Sequence, residues 1–272
     1  KPAIKCIQGF YFFSEGNRHA ARDAFSQSIH YYNHQQDNSH QQVYGFDIGS
    51  YSTAFLARTY ADLDEQQKAY HFADLAIRQA KAFDNAPSIG LALMYHAIVH
   101  QQYGNKAQVK NSAGELLSLA EKLDLPVYKG YAQMQYDWAV TQPLEAEEVY
   151  KNLRSTGSKF SIGQFFSYYA DAYADMDKYD TAIAIIDRCL LMNKAINENF
   201  YDSFLFSKRA IYRHSLKGEF DQQCIKDIET AKQIATKQNI HFIANRIKTL
   251  THPAIAQRGK YKQYTPTNAK DN

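Results

Sequence analysis

The sequence predicts an all-α protein: a right-handed superhelix of five to six antiparallel helix pairs, with no sheet. Three observations carry that prediction. The first is a skeleton that occurs twice, far apart in the chain. Leu56, Ala57 and Tyr60 are followed by Ala69 and Ala76; Tyr169, Ala170 and Tyr173 are followed by Ala182 and Cys189. From Ala57 and from Ala170 alike, the steps are 3, 9 and 7 residues. Small residues there let two helices approach closely, while the aromatic ring fills the gap beside them. The second is a period of 40 residues: Gly90, Ala92 and Met94 return as Gly130, Ala132 and Met134, and Ala57 and Ala170 return as Ala97 and Ala210. The third is apolar spacing of the helical kind almost throughout, interrupted at short polar or Gly/Pro breaks.

Taken in order, the pattern predicts helices at about 3–14 and 17–35, then a polar break at Gln36-Asp37-Asn38-Ser39. Pairs follow at about 44–62 with 65–83, 88–103 with 106–123, and 127–141 with 144–155. The last pairs are about 161–176 with 179–195 and 199–216 with 220–238, and a single helix near 240–250 closes the stack. Pro87 and Pro126 stand where one helix stops and the next begins, because proline lacks the amide proton and restricts the residue before it. Thr156-Gly157 and Lys217-Gly218 suit helix ends followed by tight connections. The pair around 127–155 is the most degenerate, its second helix short and close behind Pro143. These helices define a repeat domain over 1–250. Residues 251–272 are polar, punctuated by Gly and Pro and mildly basic, and they read as a flexible tail that has too little apolar surface to offset the entropy of ordering.

Composition narrows the function by exclusion. The chain carries 31 basic and 28 acidic residues for a net charge of +3, too balanced for an electrostatic nucleic-acid binder. No apolar run approaches the roughly 18 residues that span a bilayer, and no signal-peptide pattern opens the chain. Cys6, Cys189 and Cys224 are odd in number and widely spaced, so the expectation is free thiols in a reducing, cytoplasmic setting. The start at Lys1-Pro2, without Met, reads as a fragment or processed piece of something longer.

A period of 40 exceeds the roughly 34 of standard tetratricopeptide repeats, and one longer-repeat set matches better. From about Val43 to Gly218, some two thirds of the chain, the sequence resembles the tetratricopeptide-like C-terminal region of bacterial multidomain signalling proteins, such as maltose-activator-like regulators. In these proteins an adenylate-cyclase or DNA-binding module and a P-loop ATPase precede the repeats. The resemblance is carried by Leu75-Ala76 with Gln79-Ala80, Ser88, Gly90, Ala92 and Tyr95, and Leu119-Ala120-Glu121. It continues through Tyr131-Ala132 with Trp138-Ala139, Leu153-Arg154-Ser155-Thr156-Gly157, and above all Tyr168-Tyr169-Ala170-Asp171-Ala172-Tyr173. Tyr179 to Ala182, Ile186-Asp187, Asn199-Phe200-Tyr201 and Lys208-Arg209 complete it. Where that family places glycine before the second helix, two repeats here carry Asp64 and Asp177, while Gly104 and Gly218 keep it. The resemblance implies a sensory or assembly scaffold with no catalytic residue, a protein or peptide partner and possible contacts with upstream modules. Its alternative is the ligand- or pheromone-peptide-receptor domain of a DNA-binding regulator.

Motifs that carry chemistry are missing. There is no G-x-x-x-x-G-K-[ST] to cradle phosphate, no G-x-G-x-x-G, no G-x-S-x-G nucleophile turn and no H-E-x-x-H. The expectation is therefore no enzyme and no cofactor. His30 with His34, and His96 with His100, share helix faces, but neither pair has a local Glu or Cys to complete a zinc site, so packing or exposure is the favoured reading and no metal is expected. Glu145, Glu147 and Glu148 read as a solvated helix face. The 21 Tyr and 16 Phe crowd the first helices, mostly as core.

The first helix of each pair lines the concave side of such an array. Counting from the small alanines at 57, 97, 170 and 210, the positions six before and one or four after face the groove. They are Tyr51, Arg58, Leu91, Gln101, Gln164, Asp171, Phe204 and His214. A groove of rings, amides and charges suits an extended peptide or a partner helix. Arg58 and Asp171 are expected to be exposed there, serving capture rather than folding.

Overall fold

The computed structural model describes residues 1–33, 43–143, 146–159 and 161–250. Among them are thirteen α-helices and no strand. They are α1 (Pro2–Ser14), α2 (Arg18–Tyr31), α3 (Ile48–Asp62), α4 (Gln66–Ala82), α5 (Ala86–Gln102), α6 (Lys106–Lys122) and α7 (Pro126–Val140). After these come α8 (Ala146–Ser155), α9 (Ile162–Asp175), α10 (Tyr179–Ile196), α11 (Asp202–Lys217), α12 (Gln222–Lys237) and α13 (His241–Leu250). The expected break at 36–39, His34, Leu144, Glu145 and the tail at 251–272 lie outside the described residues. No described helix is long and apolar enough to cross a membrane.

Local chemistry sets the helix ends. Side chains of Asn17, Asp47, Asn85, Asn105 and Asp221 accept the first free backbone amides of α2, α3, α5, α6 and α12. Prolines occupy the first turns of α1, α5 and α7. The turn after α3 places Asp64 at φ 62°, and the turn after α9 places Asp177 at φ 59°. Both are left-handed positions of the kind glycine usually fills, and Asp tolerates them better than most residues do.

Six pairs stack in order, each packed within itself and against the next, with α13 as a seventh inner helix. The odd-numbered helices form an inner row, each touching the following odd helix from α1 to α13. The seam alanines Ala57, Ala69, Ala76, Ala97, Ala170 and Ala182 are fully buried, and so is Cys189. All three cysteines are free and buried.

Close approach is sharpest at Gly163, in the first turn of α9. A Cβ there would lie 2.0 Å from Asn193 Oδ1 of α10. Asn193 is buried and donates from Nδ2 to Asp202 at 2.8 Å, so it has little room to yield. Gly163→Ala should destabilise by about 1–3 kcal/mol through overpacking, although alanine favours a helix interior. Thermal unfolding in the wild-type and Asn193→Ala backgrounds checks this. The loss should vanish in the second, and a raised melting temperature in the first would contradict it.

Candidate functional site: a closed interior around Arg58

The concave side is not an open groove. The stack curls back on itself, bringing the Phe13 ring of α1 to 5.8 Å from Phe200, just before α11, and His19 of α2 to 5.6 Å from His241 of α13. Helix α13 fills the remaining space, its Phe242 ring 5.4 Å from Tyr103 and 6.1 Å from Phe204. Two partly open pockets lie along this inner face. One, of about 70 Å3, is bounded by Arg58, Gln101, Asp171, Tyr201, Phe204 and Arg246, among others. The other, of about 260 Å3, is bounded by Phe10, Phe13, Phe55, Tyr95, Gln164 and Glu198, and again by Arg58.

Arg58 is therefore buried, 3 % exposed, and the expectation of a solvent-facing charge is corrected. Asp62, one turn along α3, and Arg18, at the start of α2, are buried with it. Arg18 donates from Nε to Asp62 Oδ2 at 2.7 Å and from Nη1 to the Phe13 carbonyl at 2.6 Å. Arg58 Nε lies 3.1 Å from the other oxygen, Asp62 Oδ1. Two guanidinium groups thus share one carboxylate, and Arg58 Nη2 has no hydrogen-bond partner. The Tyr201 and Phe204 rings stand 5.8 and 5.4 Å from the Arg58 guanidinium carbon and supply weak cation–π attraction. Burial pulls the Arg58 pKa down, and the Asp62 carboxylate together with the neighbouring Tyr201, Tyr168 and Tyr95 hydroxyls outweighs it, so the pKa is raised. At Arg18 burial prevails over the same carboxylate and the pKa falls.

Asp171 is also mostly covered. It accepts from Lys208 Nζ at 2.8 Å and from the Tyr212 hydroxyl, so it is a structural partner rather than a free acceptor. One turn on, Asp175 accepts from Lys106 at 2.6 Å, and burial raises its pKa. Gln101 presents a buried Nε2 without a partner, and Gln164 donates to the Tyr168 hydroxyl at 3.0 Å. Phe204 stacks on Tyr201 at 4.6 Å.

The other three groove candidates bound neither cavity. Tyr51 joins a ring cluster with Phe10, Phe46 and Phe55. Leu91 packs on the core, and His214 stacks on Phe220 at 4.1 Å. Sequence counting missed Asp62, Arg18, Lys208, Arg246 and Glu198. Of these only Asp62 left a local trace, its spacing of four from Arg58.

Of the histidine pairs, His30 has its partner His34 outside the described residues. His96 and His100 are buried on α5, and Asp74 of α4 joins them, supplying the carboxylate that neither pair has nearby in sequence. Compared with protein-family models and with curated proteins, the chain matches none.

Proposed function

We propose that this chain is a non-enzymatic binding module that senses a compact ligand carrying a carboxylate or similar anion. Arg58 carries the reading: a buried guanidinium with an unpartnered nitrogen, bordering both pockets. Its one carboxylate neighbour, Asp62, is shared with the buried Arg18. A buried charge without compensation is costly, and a planar guanidinium fork complements a carboxylate.

The larger cavity combines the Phe10, Phe13, Phe55 and Tyr95 rings with polar groups at Gln164 and Glu198. That lining favours a small amphipathic acid over an extended peptide, which would have to displace α13. This brings forward the ligand-receptor alternative named for the resembling signalling proteins and keeps the scaffold role in reserve.

The test is thermal shift with acetate, phenylalanine, N-acetylphenylalanine and phenylalaninamide as probes. Probes with a free carboxylate should raise the melting temperature and the amide should not. Arg58→Met, which leaves Asp62 paired with Arg18, should abolish the response. A response undiminished in Arg58→Met, or no response to any acid, would refute the assignment.

A further inference from the structure

The seam where α5 packs between α4 and α6 holds a second polar cluster, and none of its members borders either pocket. His96 and His100 lie one turn apart on α5, with ring centroids 4.3 Å apart. One possible ligand atom from each of Asp74, His96 and His100 lies within 4.8 Å of the others.

His96 is held at both ring nitrogens. Nε2 is 3.1 Å from Asp74 Oδ1, and Nδ1 is 2.7 Å from the Ser112 hydroxyl of α6. His100 lies flat on Tyr70, 4.3 Å between centroids with 12° between planes, and its buried Nδ1 has no hydrogen-bond partner. Burial lowers the pKa of both rings, that of His100 to about 4, so both are neutral at pH 7 with lone pairs available.

An Asp–His–Ser chain also serves nucleophilic catalysis, but here the accessibilities run the wrong way. Ser112 is 5 % exposed and the Asp74 side chain 55 %, whereas an attacking hydroxyl must be reachable and its supporting carboxylate sheltered. That reading also leaves His100 without a role.

We propose that Asp74, His96 and His100 bind a divalent ion of the zinc class through two imidazole nitrogens and one carboxylate oxygen, with water completing the shell. Ligand lengths of about 2.0–2.1 Å imply tetrahedral edges of roughly 3.4 Å. The His96–Asp74 separation is already close to one such edge, and the solvent-facing Asp74 side chain is free to adjust. Two imidazoles with one carboxylate favour Zn2+, Ni2+ or Co2+ over Mg2+ or Ca2+, which prefer all-oxygen shells.

Ser112 serves the bound and free states alike. Without metal, His96 Nε2–H donates to Asp74 and Nδ1 accepts from the serine hydroxyl. With metal on Nε2, the proton leaves that nitrogen, Nδ1 takes one up, and the serine oxygen becomes the acceptor. That is the usual outer-shell support of a metal-bound histidine.

The experiment is calorimetric titration of the whole chain with ZnCl2, paired with Co2+ absorption in the visible range. Wild type should take up one ion, and Co2+ should give the intense bands of a four-coordinate site. Asp74→Asn alters an exposed side chain, so folding is not at issue; it should weaken binding at least about tenfold. Ser112→Ala should weaken it about 10–100-fold, the range for outer-shell partners. His100→Ala, checked by circular dichroism, should abolish one-to-one uptake, and His19→Ala, remote from the seam, should change nothing. No stoichiometric uptake by wild type would overturn the proposal, as would wild-type affinity in Asp74→Asn and His100→Ala together.

Discussion

Asp62→Asn is expected to destabilise the fold by at least about 3–5 kcal/mol, the range for breaking a buried ion pair. The single carboxylate holds two buried guanidinium groups, Arg18 at 2.7 Å and Arg58 at 3.1 Å. Asparagine keeps the shape and removes the charge, leaving both cations inside without a counterion. For a chain of this size that corresponds to a melting temperature lower by roughly 6–20 °C. The effect belongs to the triad, so adding Arg58→Met to Asp62→Asn should restore part of the loss by removing one stranded charge. A double-mutant cycle by thermal unfolding measures that coupling. A melting temperature within about 2 °C of wild type for Asp62→Asn would count against the triad.

Phe55→Ala should cost a comparable 3–5 kcal/mol or so, for a different reason. The Phe55 ring is 2 % exposed and ties three other helices to α3. Its centroid lies 4.1 Å from Phe10 of α1, 5.6 Å from Phe25 of α2 and 4.4 Å from Tyr95 of α5. It also forms part of the wall of the 260 Å3 cavity, so truncation enlarges an existing void whose other walls are already committed. Collapse around the gap is therefore limited, and the cost should fall at the upper end of the range. Phe55→Leu, which keeps most of the volume, should cost clearly less. Denaturant unfolding of both variants tests the ordering, and a loss below about 1 kcal/mol for Phe55→Ala would be incompatible with it.

Some of this architecture is written locally in the chain, and some is not. The seam alanines announce themselves because two helices cannot approach closely over large side chains, and that constraint repeats with every pair. The helix starts at Pro87 and Pro126 are equally local. Helix phase likewise turns Arg58, Gln101, Asp171 and Phe204 to one side of their helices, and together they border the smaller cavity. Exposure is different. Whether that side meets solvent depends on how far the stack curls and on α13 returning across it, and neither is encoded near Arg58. The metal cluster divides in the same way. His96 and His100 are visible as neighbours on one helix, but Asp74 arrives from another helix, 22 residues from His96, through the packing register of α4 on α5.

The return of α13 has a consequence for cooperativity. An open solenoid is nearly one-dimensional: each repeat answers only to its neighbours, and the array can fray from either end. Here Arg18 reaches the Phe200 carbonyl and Asn245 reaches Asp64, contacts that span 182 and 181 residues. Such links give the terminal helices partners at the opposite end of the chain, so neither end can peel away without disturbing the other. They also require a long loop to close before the last contacts form, which raises contact order and slows folding relative to an open stack. The molecule has the local grammar of a solenoid and the cooperative unit of a globular domain.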